Sequence, residues 1–393
     1  MKLGLITLIR DEIDIIRSFL GHVDALFDRV YLIDHQSIDG TDCILKEVSR
    51  EKSKFTYYQL EAKIMLQKAV SNLFIPEAFS AGIDFLFFLD ADEFIQVTSR
   101  ADLEEQLTQN DYSSSIACLR WKNCILDDFN NTSFDFNTSV WIPQEKSNFI
   151  KAIIPLEFYK KNLKLQIGSG NHLVFLNNQM VPSKEIGTLF HIPIRSRNQA
   201  IKKALISYIA ISTIKNRGSG NSFQLLNMIE KIAKADVTDN DLIEFTLGYD
   251  APGRKYTNTD TLQNFNYSLT NFNKIQIAKT QMANQIITQT IVELERNIAN
   301  SLLNLESNFS NDTPLEVVNG KIKIAGDVNQ DFQNPGSGNN DAFYKSQIST
   351  LNKRIEELER EIFAYSTSTS WVFTKPFRKL GNLIRNLLQK NEK

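Results

Sequence analysis

The stretch Phe85 to Ile95, FLFFLDADEFI, runs five apolar residues into Asp90, Asp92 and Glu93, with only Ala91 between the acids. An unpaired carboxylate at the end of a buried strand costs several kcal/mol or takes up a proton. The segment therefore demands something positive. In an extended chain Asp90 and Asp92, two residues apart, point to the same side and can both face a hard cation. Mn2+ or Mg2+ suits such oxygen ligands, since it typically bridges one or two carboxylates to substrate phosphates. The same letters also suit a helix N-terminus, where an acid accepts from free N–H groups and is favoured by the helix dipole. An acid on a neighbouring strand end, Asp34, weighs toward the metal.

A second group with chemistry lies in FHIPIRSRNQAIKK, residues 190 to 203. It places His191 within about two turns of Arg195 and Arg197, and arginine matches phosphate in fork geometry. Arg197, Lys202 and Lys203 can equally form the solvated face of a helix beginning near Asn198. His191 can serve as a third metal ligand beside Asp90 and Asp92, or as a donor to a phosphate.

These residues need elements to carry them. Leu3 to Ile9 is a continuous apolar, β-branched run, the pattern of a strand buried on both faces of a parallel sheet. Ile13, Ile16, Leu20, Val23 and Phe27 recur at helical spacing and lead into a strand from Val30 to Asp34. The turn HQSIDGT follows, then a short helix to Arg50, the strand FTYYQL, and a helix over Leu66 to Ala81 in which Pro76 predicts a kink. Alternating strands and helices predict an α/β fold, a mostly parallel sheet flanked by helices, with ligands bound beyond the C-terminal ends of the strands. Those ends carry Arg10, Asp11 and Glu12, then Asp34, then Asp90, Asp92 and Glu93. His22 reads as helix surface and His35 as part of a turn.

The 393 residues suit two domains plus appendages. With 42% hydrophobic and 23% charged residues and a formal charge of −2, the chain is globular and is not a nucleic-acid binder. Cys43, Cys118 and Cys124 make no CxxC pair, which argues against a disulfide framework or a cysteine zinc site and for a cytoplasmic setting. The opening run KLGLITLI stops at Arg10, too short for a signal peptide, and no apolar stretch reaches the length of a membrane span.

Four stretches in order resemble the bacterial family-2-like branch of the GT-A glycosyltransferases. LITLIRDE with DIIRSFLGH resembles its opening strand and helix, YLIDHQSIDGT its nucleoside-reading strand end, and FLFFLDADEFI its DxD segment. GSGNHLVF with FHIPIRSRNQAIKK is similar to its GNH and HxPxRSxxQ pair, so the resemblance spans about the first 205 residues. It implies a GT-A catalytic domain over 1–205 and a nucleotide-sugar donor, UDP-linked by family habit. On this reading Asp34 lies near the base or ribose, Asp90 near the ribose or metal, and Asp92 is the principal ligand of Mn2+ or Mg2+. The donor-binding set becomes Thr7, Arg10, Glu12, Asp34, Asp90, His191, Arg195 and Arg197, with Asp90, Asp92 and His191 on the metal. A divalent ion on both phosphates would offset the charge that grows on the departing diphosphate.

The acceptor, a glycan or lipid-linked saccharide, must lose a proton as it attacks, so direct displacement needs a general base. His172 in GNH, Asp127 or Asp128 in the polar loop after IACLRWKNCIL, and Glu93 are the candidates. Each also has a structural reading, His172 as a turn residue and the two aspartates as loop polarity.

Residues 206–309 are helix-patterned and read as an accessory layer. Residues 310–342 read as a linker, with a hairpin at LEVVNGKIKIAG turning on Asn319-Gly320. Tyr344, Ile348, Leu351, Ile355, Leu358, Ile362 and Tyr365 alternate steps of four and three, a coiled-coil seam over 343–366 suited to self-association. From Trp371 the chain holds six basic residues, Lys375, Arg378, Lys379, Arg385, Lys390 and Lys393, against Glu392 alone. Such an amphipathic tail, 367–393, suits peripheral contact with an anionic membrane, here the inner face of the cell membrane. Its SxSWxxTxPxR pattern resembles tails of bacterial surface-polysaccharide enzymes. Packing on a protein surface is the other reading of the tail, and a non-catalytic GT-A scaffold is the other reading of the whole chain.

Overall fold

In the computed structural model the apolar run of the N-terminus forms β1 (Leu3–Ile9), buried at the middle of a ten-stranded sheet. The structure describes residues 1–61, 66–126, 128–129, 139–143, 146–212, 228–229, 231–232, 237–249, 259–264 and 314–325, with backbone alone at 139, 206–212 and 259–264. They lie in one compact unit, Met1–Met228 with Val237–Ala325; of a second, Ile229–Asp236 with Gly326–Lys393, only Ile229, Lys231 and Ile232 are described. The coiled coil expected over 343–366 and the tail expected over 367–393 lie outside the described residues.

From β1 the chain alternates as its periodicity predicts: α1 (Ile16–Leu26), β2 (Arg29–Asp34), α2 (Thr41–Glu51), β3 (Phe55–Leu60), α3 (Gln67–Ser80) and β4 (Phe85–Phe88). α3 runs on through Pro76. Then come β5 (Glu93–Ile95), α4 (Arg100–Thr108), β6 (Ile116–Asn123), β7 (Ile125–Leu126), β8 (Ser139–Pro143), β9 (Ile150–Pro155) and α5 (Leu156–Lys161). β10 (Gln166–Ile167), β11 (Val174–Leu176) and β12 (Gln179–Met180) form a small separate sheet, and β13 (Ser183–His191) returns to the large one. After it lie α6 (Arg197–Ser212), α7 (Asp239–Leu247), β14 (Thr259–Asn264), β15 (Leu315–Val318) and β16 (Lys321–Ile324).

The large sheet has the order β15-β16-β3-β2-β1-β4-β9-β6-β13-β5. β16, β3, β2, β1, β4, β6 and β13 point one way, and β15, β9 and β5 run against them. This is the mostly parallel, helix-flanked α/β sheet the sequence predicts. Both faces are apolar because side chains alternate. Phe88 belongs to the core under α3, where Tyr31, Tyr58 and Phe74 pack ring to ring, whereas Phe87 meets Phe27 edge-on at 5.1 Å. His22 is not helix surface: it is fully buried, and its Nε2 accepts the Ile95 N–H at 2.9 Å, tying α1 to β5. Burial pushes that imidazole down to about 3, so it stays neutral and free to accept.

Two sequence expectations meet a different tertiary arrangement downstream. Thr259–Asn264, expected within a helical layer, is a strand paired antiparallel with β8. The hairpin at 315–324 forms as predicted, with Asn319 at φ 52° and Gly320 at φ 75°, the two positive values a type I′ turn requires. It does not belong to a linker. β16 pairs in parallel with β3, so the sheet extends well past residue 205.

Candidate active site

The acidic stretch after β4 is a turn, not an extended segment. The Glu93 N–H donates to the Asp90 carbonyl at 3.1 Å, and Glu93 Oε2 accepts the Asp90 N–H at 2.8 Å, which reverses the chain into β5. Asp90 and Asp92 therefore meet different partners. Asp90 accepts from Gln67 Nε2 at 2.9 Å, at the start of α3, and from Lys151 Nζ at 2.6 Å. Lys151, only 1% exposed on β9, also lies 3.3 Å from Glu93 Oε1. A positive partner of these two acids is thus a protein ammonium. Glu93 is fully buried in this arrangement, and burial holds its carboxyl well above the usual range. Its observed contacts brace the turn, on the Asp90 N–H and Lys151 Nζ.

Asp92 sits in a second cluster, assembled because β5 runs antiparallel to the end of β13. His191 pairs with Glu93 across that ladder, and the Ile192 N–H donates to the Asp92 carbonyl at 2.8 Å. On its other side His191 is in register with Asn123 of β6, and the His191 Nδ1–H donates to Asn123 Oδ1 at 2.7 Å. The ring stacks on Trp121, centroids 4.2 Å apart. Burial pushes the imidazole down to about 3. His191 is therefore neutral, and its Nε2 lone pair lies 3.7 Å from Asp92 Oδ2. Lys203 Nζ donates to the same oxygen at 3.1 Å and to the Pro193 carbonyl, and it lies over the Tyr249 ring. Burial alone would raise the Asp92 carboxyl, but Lys203, foremost among its charged neighbours, holds it below the usual range. Lys203, read as a solvated helix face, belongs to the site.

Arg195 does not stand open to a phosphate. It is 2% exposed, its Nε and Nη2 fork onto Asp14 at 2.7 and 3.0 Å, and Nη2 also contacts Glu12. Asp92 Oδ2 lies 3.8 Å from its Nη1. The guanidinium ties the loop after β1 to the acidic turn, so Arg195 and Glu12 position the site from within. Arg197 is at the surface, its Nη2 2.6 Å from Asp239 Oδ1 of α7. The acids of the first loop reach Arg195 before any ligand does, and Asp239 of α7 does the same for Arg197.

The ends of β1 and β2 form the other flank. Asp34, fully buried, faces Ile9 in the parallel register, and its Oδ1 accepts the Ser37 N–H at 3.1 Å. Its Oδ2 and the Thr7 hydroxyl are buried with no hydrogen-bond partner among the described residues. Unmet buried acceptors are costly, and ligand donors are the usual remedy. Burial raises the Asp34 carboxyl. Arg10 lies beside Asp11, Nε to Oδ2 3.7 Å, and Lys202 Nζ is 3.7 Å from the same oxygen.

His172 enters from the GSGNH loop, which the short 3₁₀ turn Ser169–Asn171 pins to α3 through a buried Asn171–Ser71 bond of 2.9 Å. Its Nδ1–H donates to the Ile150 carbonyl at 2.7 Å, and its ring meets Trp121 edge-on at 5.0 Å. Asp128 is exposed, and Asp127 lies outside the described residues. Among the described residues no three His, Cys, Asp or Glu side chains form a metal cluster, so the expected trio of Asp90, Asp92 and His191 is not assembled. What remains together is the pair Asp92 and His191.

Sequence reasoning passed over Lys151, Trp121, Asn123 and Gln67. Lys151 alone had a signal, a lysine inside the otherwise apolar strand IKAIIP. No protein-family model and no curated protein matches the chain. Among solved structures it is similar to S. aureus TarS 1–349, with 12% identity over 82% of this chain and 96% of that one and a TM-score of 0.30. A further S. aureus TarS structure gives 14% identity, 82% and 58% coverage and 0.29, and TarS 1–349 in complex with UDP gives 12%, 82% and 96%, and 0.27. At these values the likeness says nothing of what this chain binds.

Proposed function

We propose that this protein is a glycosyltransferase that moves a sugar from a nucleotide-sugar donor, UDP-linked, to a glycan or lipid-linked acceptor in bacterial surface-polysaccharide synthesis. One observation carries the reading. At the C-terminal ends of the parallel strands, Thr7 Oγ1 and Asp34 Oδ2, buried and without a geometric hydrogen bond among the described residues though the Tyr57 hydroxyl lies near Asp34, form one flank, and the Asp92–His191–Lys203 cluster forms the other. A nucleoside supplies the hydroxyl and N–H donors the first flank lacks, and a diphosphate supplies the negative charge suited to the second.

The residues present fit a divalent ion, Mn2+ or Mg2+. Asp92 Oδ2, which also accepts from Lys203 Nζ, and the His191 Nε2 lone pair are two acceptors facing each other, and Asn123 fixes the tautomer that leaves Nε2 bare. They would hold the ion, with water and phosphate oxygens as its other ligands. Bound there, it supplies charge neutralisation to the departing diphosphate. Asp90, committed to Lys151 and Gln67, orients the turn and offers its remaining lone pairs to the ribose. Lys203 adds positive charge beside the leaving group, and Arg195 keeps the turn in place against Glu12 and Asp14. Displacement at the anomeric carbon with inversion follows the family habit. The basic tail is read as the membrane contact that brings the enzyme to a lipid-linked acceptor at the inner face of the membrane, and the 344–365 seam as a site of self-association.

A screen of nucleotide sugars by mass spectrometry, with hydrolysis as the readout and Mn2+ present or chelated, tests the reading. Turnover of one donor class, lost on chelation, is expected. Calorimetry with a panel of nucleoside diphosphates plus Mn2+ complements it: no binding by any of them would leave a non-catalytic scaffold with this fold.

A further inference from the structure

A direct displacement needs a base for the acceptor proton, and the described candidates separate by position. Glu93 is sealed behind Lys151, and Asp128 is exposed on a loop. His172 is held differently. Its Nδ1 faces the Ile150 carbonyl, which can only accept, so Nδ1 carries the proton and Nε2 carries the lone pair. Among the described residues Nε2 has no hydrogen-bond partner, and it is not one of the fully buried unpartnered atoms.

The surroundings of the ring are built. Trp121 meets it edge-on, Phe149 packs at 5.2 Å, and Asn171 anchors the loop to Ser71. A Cβ at Gly170 would fall 2.5 Å from both Cδ2 and Nε2, so only glycine leaves that edge of the imidazole its place. Gly170 also sits at φ 72°, a conformation glycine adopts freely. Trp121 links the ring to the proposed leaving-group site, because it also stacks on His191 and lies 5.7 Å from Lys151 Nζ. Burial, and then Lys151, keep the resting imidazole neutral.

We propose that His172 is the general base that takes the proton of the acceptor hydroxyl, a role that rests on the glycosyltransferase reading. The O–H proton passes to Nε2, and the oxygen electron pair forms the bond to the anomeric carbon. The bond from that carbon to the phosphate oxygen breaks, its pair leaving on the diphosphate, and the imidazolium then returns its proton to water. Phe149, 38% exposed, sets an aromatic surface beside the base. Such an apolar surface suits the C–H face of a sugar ring, in keeping with a saccharide hydroxyl as the acceptor group.

The test compares the full-length wild type and His172→Ala, in a panel of UDP-, GDP- and dTDP-sugars, on whichever donor the wild type hydrolyses. Water must shed a proton to attack; azide carries none. Release of nucleoside diphosphate to water should fall by about 10² to 10⁴-fold, while formation of the glycosyl azide continues at close to the wild-type rate. His172→Gln, which keeps volume and polarity, should behave alike if the alanine variant folds poorly. Equal loss of both reactions in a folded variant, or loss of neither, would overturn the assignment. A wild type that turns over no donor in the panel would sink the glycosyltransferase reading itself, and this role with it.

Discussion

Lys151→Met removes a buried ammonium and keeps most of its volume. The wild-type Nζ lies 2.6 Å from Asp90 Oδ2 and 3.3 Å from Glu93 Oε1. Asp90 is one-third exposed and recovers water, but Glu93 is fully buried and does not. When Glu93 is ionised, at an effective dielectric of about 20, its contact alone corresponds to about 5 kcal/mol of attraction. Breaking one side of a buried pair costs about 3 to 5 kcal/mol. Glu93 can escape part of that by taking a proton, and the sign of the pH dependence follows. Its folded pKa is raised by burial and rises further without Lys151, so the folded state binds the extra proton. Stability is then lost as pH rises above the unfolded carboxyl value of about 4.3. Urea unfolding followed by circular dichroism should show a deficit of about 3 kcal/mol or more at pH 8 that narrows at pH 5. Lys151→Met with Glu93→Gln should recover part of it. A deficit under about 1 kcal/mol, or one that is the same at both pH values, would refute the pairing argument.

Gly170→Ala forces a side chain into φ 72° and against the His172 ring; it should cost about 1 to 2 kcal/mol in unfolding midpoint measurements and reduce transfer more than donor binding. Asp92→Asn should abolish Mn2+-dependent turnover with the fold retained by circular dichroism, and a near-normal rate at saturating Mn2+ would remove Asp92 from the metal. Arg195→Lys loses the fork on Asp14 and should cost about 2 kcal/mol or more. Its affinity for nucleoside and nucleoside diphosphate should drop together in calorimetry, whereas selective loss of the diphosphate would mean that Arg195 meets the phosphates after all.

The sequence by itself determined the strand and helix alternation of β1 to β4, since hydrophobic period and burial on both faces are local signals. It also determined the Asn319-Gly320 turn, because two successive positive φ values suit few residue pairs. It singled out Asp34, Asp92, His191 and His172 as candidates, since polar groups at the edges of apolar runs stand out. Only the tertiary structure decided their partners. Lys151 reaches Asp90 from 61 positions away, Lys203 reaches Asp92 from 111, and Arg195 reaches Asp14 from 181. Such pairings follow from strand order and register. The reversal at Asp90–Glu93 sends Asp90 toward β9 and Asp92 toward β13, where an extended reading kept them together. Arg195 and Lys151 read as ligand-facing or unremarked for the same reason: whether a charge is spent inside the protein or kept for a ligand depends on which opposite charge the fold brings within hydrogen-bond distance.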